Sequence, residues 1–177
     1  MHCDILLASN LKMDKWINYF ISTAGVAAGL TGLIFVGLSV NVKKIFCITK
    51  AHLPSRALGS LIVLSNIVIV SNLCLIPSQP IYSLGAEIFV AGIVIWIIIT
   101  RLDLIMYRTV AATYRPQYFR NIFLSQFTIM PFLVAGIFLI CDLNAGVYII
   151  VPGIIFSLIK SLVDIWFIMV DINRIEI

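Results

Sequence analysis

Five apolar runs, over residues 16–42, 57–76, 84–101, 122–143 and 147–170, constrain this chain more than any other feature. Each is close to the ~20 residues that cross the hydrocarbon core of a bilayer as a helix. Backbone N–H and C=O groups in hydrocarbon must bond within the chain, so segments of this kind are helices. The fold class expected is all-α: a transmembrane helical bundle of five spans, forming a single integral membrane domain over residues 1–177. Composition agrees, with 62% hydrophobic and 11% charged residues. A soluble domain carries about 45–50% apolar and about 25% charged residues. The excess lies in runs without a polar face, which marks lipid as their solvent.

The net charge of +4 reports orientation before it reports a partner. Residues 43–56 carry Lys43, Lys44, Lys50 and Arg56 and no acid, and residues 101–121 carry Arg101, Arg108, Arg115 and Arg120 against Asp103. With five spans, both stretches share a side with the C-terminus. The positive-inside rule then places the C-terminus in the cytoplasm and the N-terminus outside, with the tight turn Pro77-Ser78-Gln79-Pro80 also outside. Tyr107, Tyr114 and Tyr118 interleave with the arginines, as suits a segment lying on anionic lipid. Membrane lipids are thus the first expected partner. That Arg/Tyr stretch is read as a lipid-facing segment, and nucleic acid is not expected as a partner. The first ten residues lack a positive start and an apolar h-region, so insertion is expected to rest on the first span.

In the first run, Asn18, Ser22, Gly25, Gly29, Gly32 and Ser39 fall in one narrow angular band, and Gly25-Val26-Ala27-Ala28-Gly29 is a GxxxG. Small residues let a second helix backbone come close, which gives dispersion and Cα–H···O contacts in lipid. Two readings stay open: packing against another helix of the same chain, or a self-association or pore-lining face.

The last run carries two charges, Lys160 and Asp164, in its interior. Gly153, Ser157, Lys160, Asp164 and Asp171 share one face at helical spacing. A charge at mid-membrane costs about 2.5–3.5 kcal/mol on the insertion scale. Lys160 and Asp164 are four apart and can pair within the helix. Depth counting puts Asn66 level with Lys160, and Gln126 near Asp164. The expected arrangement is an intramembrane cluster of Lys160, Asp164, Asn66 and Gln126 joining the second, fourth and fifth helices. It would either fix helix register as a neutralised pair or serve a proton or ion relay or a pore. Glu87 is read as a cap in the first turn of the third helix, and Pro131 as a kink in the fourth.

No HExxH, Gly-x-Ser-x-Gly, P-loop or CxxC occurs. The two histidines, His2 and His52, and the four cysteines lack metal-ligand spacing. No catalytic residue, metal or cofactor is expected. Cys74 and Cys141 fall near the outer ends of their helices; free thiols are the default and a disulfide the alternative.

Four segments carry a resemblance: Gly29-Leu30-Thr31-Gly32-Leu33-Ile34-Phe35-Val36, Leu53-Pro54-Ser55-Arg56-Ala57-Leu58, Leu75-Ile76-Pro77-Ser78-Gln79-Pro80 with Leu84-Gly85-Ala86-Glu87, and Trp166-Phe167-Ile168-Met169-Val170-Asp171-Ile172-Asn173-Arg174. Together they resemble a family of small, uncharacterised bacterial multi-pass inner-membrane proteins, some labelled "modulator of FtsH protease". The family favours Glu where this chain has Asp171, and Asn where it has Asp164. The resemblance implies a bacterial inner (cytoplasmic) membrane and a non-enzymatic role, and supplies no site residues. The function expected is a non-catalytic multi-pass protein that acts through helix–helix contacts, as subunit or modulator of a membrane complex. Its partner would be a second copy or another membrane protein. The alternative is a small homo-oligomeric ion channel, lined by the glycine stripe or the Lys160 face.

Overall fold

The computed structural model describes residues 16–40, 52–109 and 115–173. Expectations for Cys3, Lys43, Lys44, Cys47, Lys50 and Tyr114 lie outside them, as do those for the side chains of His52, Arg108, Arg115, Tyr118, Arg120 and Asp171. Among the described residues five helices follow in order: α1 (Ile17–Val40), α2 (His52–Leu73), α3 (Ile81–Thr109), α4 (Arg115–Ile140) and α5 (Ala145–Asn173). Each is long and apolar enough to cross a membrane, and no strand occurs among the described residues. The chain is an all-α transmembrane bundle.

The helices alternate in direction. Thr23, early in α1, shares a 3.1 Å hydrogen bond with Ser71, late in α2. Trp16, just before α1, meets Tyr148, in the first turn of α5, edge to face at 4.9 Å. Arg56, early in α2, meets Asp164, late in α5. One end of the bundle therefore gathers Trp16, the α2–α3 turn and the α4–α5 turn. The other gathers the basic residues Arg56 and Arg101.

α3 packs most extensively on α4, α4 on α5, and α2 lies against α1, α3 and α5. The core contains Phe20, Leu64, Ile67, Val70, Ile88, Phe132, Leu139, Ile150 and Ile154. Glycine sets the α3–α4 approach. A Cβ on Gly85 would lie 2.6 Å from the Ile140 nitrogen, and one on Gly136 would lie 3.0 Å from the Phe89 Cα. These are the close backbone contacts that hold helices together where no hydrophobic force acts between them.

The α4–α5 turn is a Schellman motif. Leu143 N–H donates to Phe138 O at 2.9 Å and Asp142 N–H to Leu139 O at 3.0 Å, with Asp142 left-handed at φ 59°. Two of the last α4 carbonyls, otherwise orphaned in a low-dielectric medium, are satisfied this way.

Helix bounds differ from the hydropathy reading in one informative place. α3 runs on to Thr109 and α4 begins at Arg115, so most of residues 101–121 is helix. Arg101 and Asp103 end the apolar run, but they do not end the i→i−4 bonding. At its other end α3 starts at Ile81, ahead of the apolar run, so Glu87 stands in the second turn, not the first, and α3 has no acid in its first turn. Helix α4 continues through Pro131.

Candidate functional site

The strongest concentration of charge lies between α2 and α5. Arg56 donates to Asp164 Oδ1 twice, from Nε at 2.9 Å and from a terminal nitrogen at 2.7 Å. Lys160 Nζ donates to Asp164 Oδ2 at 2.5 Å, one helical turn away. Asp164 is 2% exposed, so its charge is taken out of water and both oxygens are met by cations. The Arg56 guanidinium also lies over the Phe167 ring, 4.9 Å from its centroid. Arg56 suits this place because its planar fork can serve a carboxylate and a ring together.

Buried hydroxyls tie the surrounding backbone. Ser60 Oγ donates to Arg56 O at 3.2 Å, and Ser161 Oγ reaches Ser60 O at 3.4 Å across the α2–α5 seam. Ser125 Oγ donates to Asn121 O at 3.0 Å, Thr128 Oγ1 to Ser125 O at 2.7 Å, and Ser157 Oγ to Thr128 O at 3.5 Å across the α4–α5 seam. The polar face of α5 is thereby spent inside the bundle: Gly153 sits against Pro131 and Phe132, and Ser157, Ser161 and Asp164 are buried.

A cavity of about 10 Å³ adjoins the cluster, lined by Arg56, Lys160 and Asp164 with Asp103 of α3 and Asn121 and Ser125 of α4. Asp103 is 4% exposed, and its Oδ2 has no hydrogen-bond partner among the described residues.

The four residues expected in one cluster are divided. Lys160 and Asp164 pair as their spacing suggests. Gln126 turns to α3 instead: its Oε1 accepts from Trp96 Nε1 at 2.5 Å, and its Nε2 donates to Thr100 Oγ1 at 3.2 Å. Asn66 is buried at 1% exposure, with Oδ1 unpartnered, and does not join the ion pair. Depth counting misjudged level as well as side: the Ser161–Ser60 and Ser157–Thr128 contacts set Asn66 further along α2 than the level of Lys160, and Gln126 nearer the level of Lys160 than that of Asp164. Arg56 and Asp103 take the two places. Their signal was an unpaired acid–base count at the basic end of the bundle, hidden because both read as loop charges.

The α1 stripe faces outward. Asn18, Ser22, Gly25, Gly29, Gly32 and Ser39 are all exposed, and a Cβ added at Gly25, Gly29 or Gly32 meets nothing within 4 Å. The inward side of α1 is Phe20, Ala27 and Ile34, spaced by seven. Only Gly37 of the α1 glycines meets a neighbour, Met169 of α5. The other close glycine-mediated contacts among the described residues lie in the α3–α4 seam, at Gly85, Gly92 and Gly136, and in the α4–α5 seam, at Gly146 and Gly153.

Cys74 and Cys141 are free thiols, the first buried and the second exposed. No group of three or more His, Cys, Asp or Glu able to hold a metal occurs among the described residues. Compared with protein-family models, curated proteins and solved structures, the chain finds no match, so these side chains alone bear on function.

Proposed function

We propose that this chain is a non-catalytic component of a membrane assembly, and that it docks through the outward glycine face of α1. One observation carries the reading. Only 11% of the α1 span is buried, against 28–44% in the other four spans, and its unburied side holds the small residues. Gly25, Gly29 and Gly32 offer a flat backbone groove, and Asn18 and Ser22 place polar groups where hydrocarbon would otherwise lie. A stripe of this kind is self-complementary, since each groove accepts the ridge of its twin. A second copy of the chain is the occupant that needs no further assumption. The cluster at Asp164 has a supporting part: it locks α2 to α5, which leaves α1, attached chiefly to α2, free to present its other side.

In this reading the basic end, with the C-terminus, lies in the cytoplasm and the N-terminus outside, by the positive-inside rule. A bacterial inner membrane, and modulation of a larger membrane complex, follow from the family resemblance.

A channel is the second reading. Asn18, Ser22 and Ser39 favour it, because three polar residues share the outward stripe with the glycines. The Lys160 face does not favour it, being consumed by Arg56 and Asp164.

Native mass spectrometry in mild detergent tests the proposal. The wild type should run as a dimer or small oligomer, and Gly29→Ile as a monomer with unchanged helix content. A wild type that stays monomeric would contradict the proposal. A defined ring that passes ions in liposomes would favour the channel.

A further inference from the structure

The cavity beside Asp164 holds two carboxyl groups in unequal situations. Both Asp164 oxygens are bonded, Oδ1 by Arg56 and Oδ2 by Lys160. Asp103 lines the same cavity from α3, is 4% exposed, and has a buried Oδ2 with no partner among the described residues. A buried carboxylate oxygen without a donor is costly, and proteins supply one or neutralise the group.

The surroundings narrow what can meet that oxygen. The charged groups lining the cavity are Arg56 from α2, Lys160 and Asp164 from α5, and Asp103 itself; α4 contributes neutral Asn121 and Ser125. With both carboxyls ionised, two cations face two anions, which leaves no negative charge to hold a metal cation. About 10 Å³ is room for roughly one water, too little for an oxyanion. A proton needs no volume. The Arg56 side chain is 23% exposed and stands at the first residues of the α2 span, so the cavity opens toward the bilayer surface, where protons exchange with water.

We propose that Asp103 is a proton-binding site. Water delivers the proton and Asp103 Oδ2 forms the O–H bond. The protonated group leaves Arg56 and Lys160 to Asp164. When the proton returns to water, ionised Asp103 competes with Asp164 for Lys160 across the shared cavity, and α3 is drawn toward α5 at the expense of the Lys160–Asp164 pair. This inference is independent of how α1 docks.

Infrared difference spectroscopy of the full chain in lipid, titrated from about pH 3 to about pH 9, tests it; that range spans free and deeply buried carboxyls. The wild type should show a protonated-carboxyl C=O band that appears on acidification. Asp103→Asn should lose that band, Asp103→Glu should shift it, and Asp164→Asn should retain it. Should Asp103→Asn fail to fold, the shift in Asp103→Glu decides alone. The proposal is overturned if Asp103→Glu leaves every carboxyl band in place, or if the band is lost with Asp164→Asn instead.

Discussion

Arg56 and Asp164 are 108 positions apart in the chain, yet two hydrogen bonds of 2.9 and 2.7 Å join them. The pair fixes α2 against α5 in both register and rotation, since each side chain leaves its helix on one side only. Lys160, on the helix of its acceptor, neutralises the second oxygen and holds the carboxylate facing α2.

Removing one partner of this cluster should cost more than removing the whole. Arg56→Ala leaves Asp164 buried with one cation, and breaking a buried pair in this way costs about 3–5 kcal/mol. Replacing Arg56, Lys160 and Asp164 together by Met, Met and Leu should recover most of that loss. Denaturant unfolding in detergent micelles, followed by circular dichroism, measures both.

The two kinds of glycine should part company on substitution. Gly85→Ala puts a methyl 2.6 Å from the Ile140 nitrogen, and backbone cannot step aside as a side chain can. Forcing the α3–α4 seam apart should cost about 1–3 kcal/mol. Gly29→Ala meets nothing and should leave protomer stability unchanged or slightly raised, Ala being the better helix former. The same unfolding titration, run at a detergent ratio that keeps protomers apart, separates them.

Cys74, just past the end of α2, should be inert and should make stability pH-dependent in alkali. Burial pushes its thiol from the ordinary 9.0 up to about 12. The folded chain therefore keeps a proton that the unfolded chain gives up. The associated stability is fully present below pH 9.0 and is lost as pH rises toward about 12. Alkylation followed by mass spectrometry at neutral pH should label exposed Cys141 at once and Cys74 only after unfolding. Cys74→Ser should flatten the alkaline fall in stability.

The sequence carried the architecture well because bilayer crossing depends on length and hydropathy, both local properties. Five runs became five helices. It carried helix ends less well: Arg101 and Asp103 interrupt hydropathy without interrupting backbone bonding, so α3 extends to Thr109. The Lys160–Asp164 pair was legible because four residues is one helical turn. Arg56 was not, since nothing local says which helix rotates toward Asp164. Gln126 and Asn66 were given the wrong neighbours for the same reason, and the wrong levels because the relative heights of the helices are set by contacts such as Ser60–Ser161 and Thr128–Ser157. The α1 stripe was legible as a packing surface, but its direction, outward, depends on Phe20, Ala27 and Ile34 filling the opposite side.

Cysteine cross-linking along α1 in native membranes tests the central claim most directly. Cys74, Cys141 and the other cysteines are first replaced by Ser. Single substitutions Ser22→Cys, Gly25→Cys, Gly29→Cys and Gly32→Cys are then compared under mild oxidation with Ala27→Cys and Ile34→Cys. The account predicts disulfide-linked dimers at the four outward positions and none at the two inward ones. Cross-linking absent at all six positions, or equal on both sides of the helix, would contradict it.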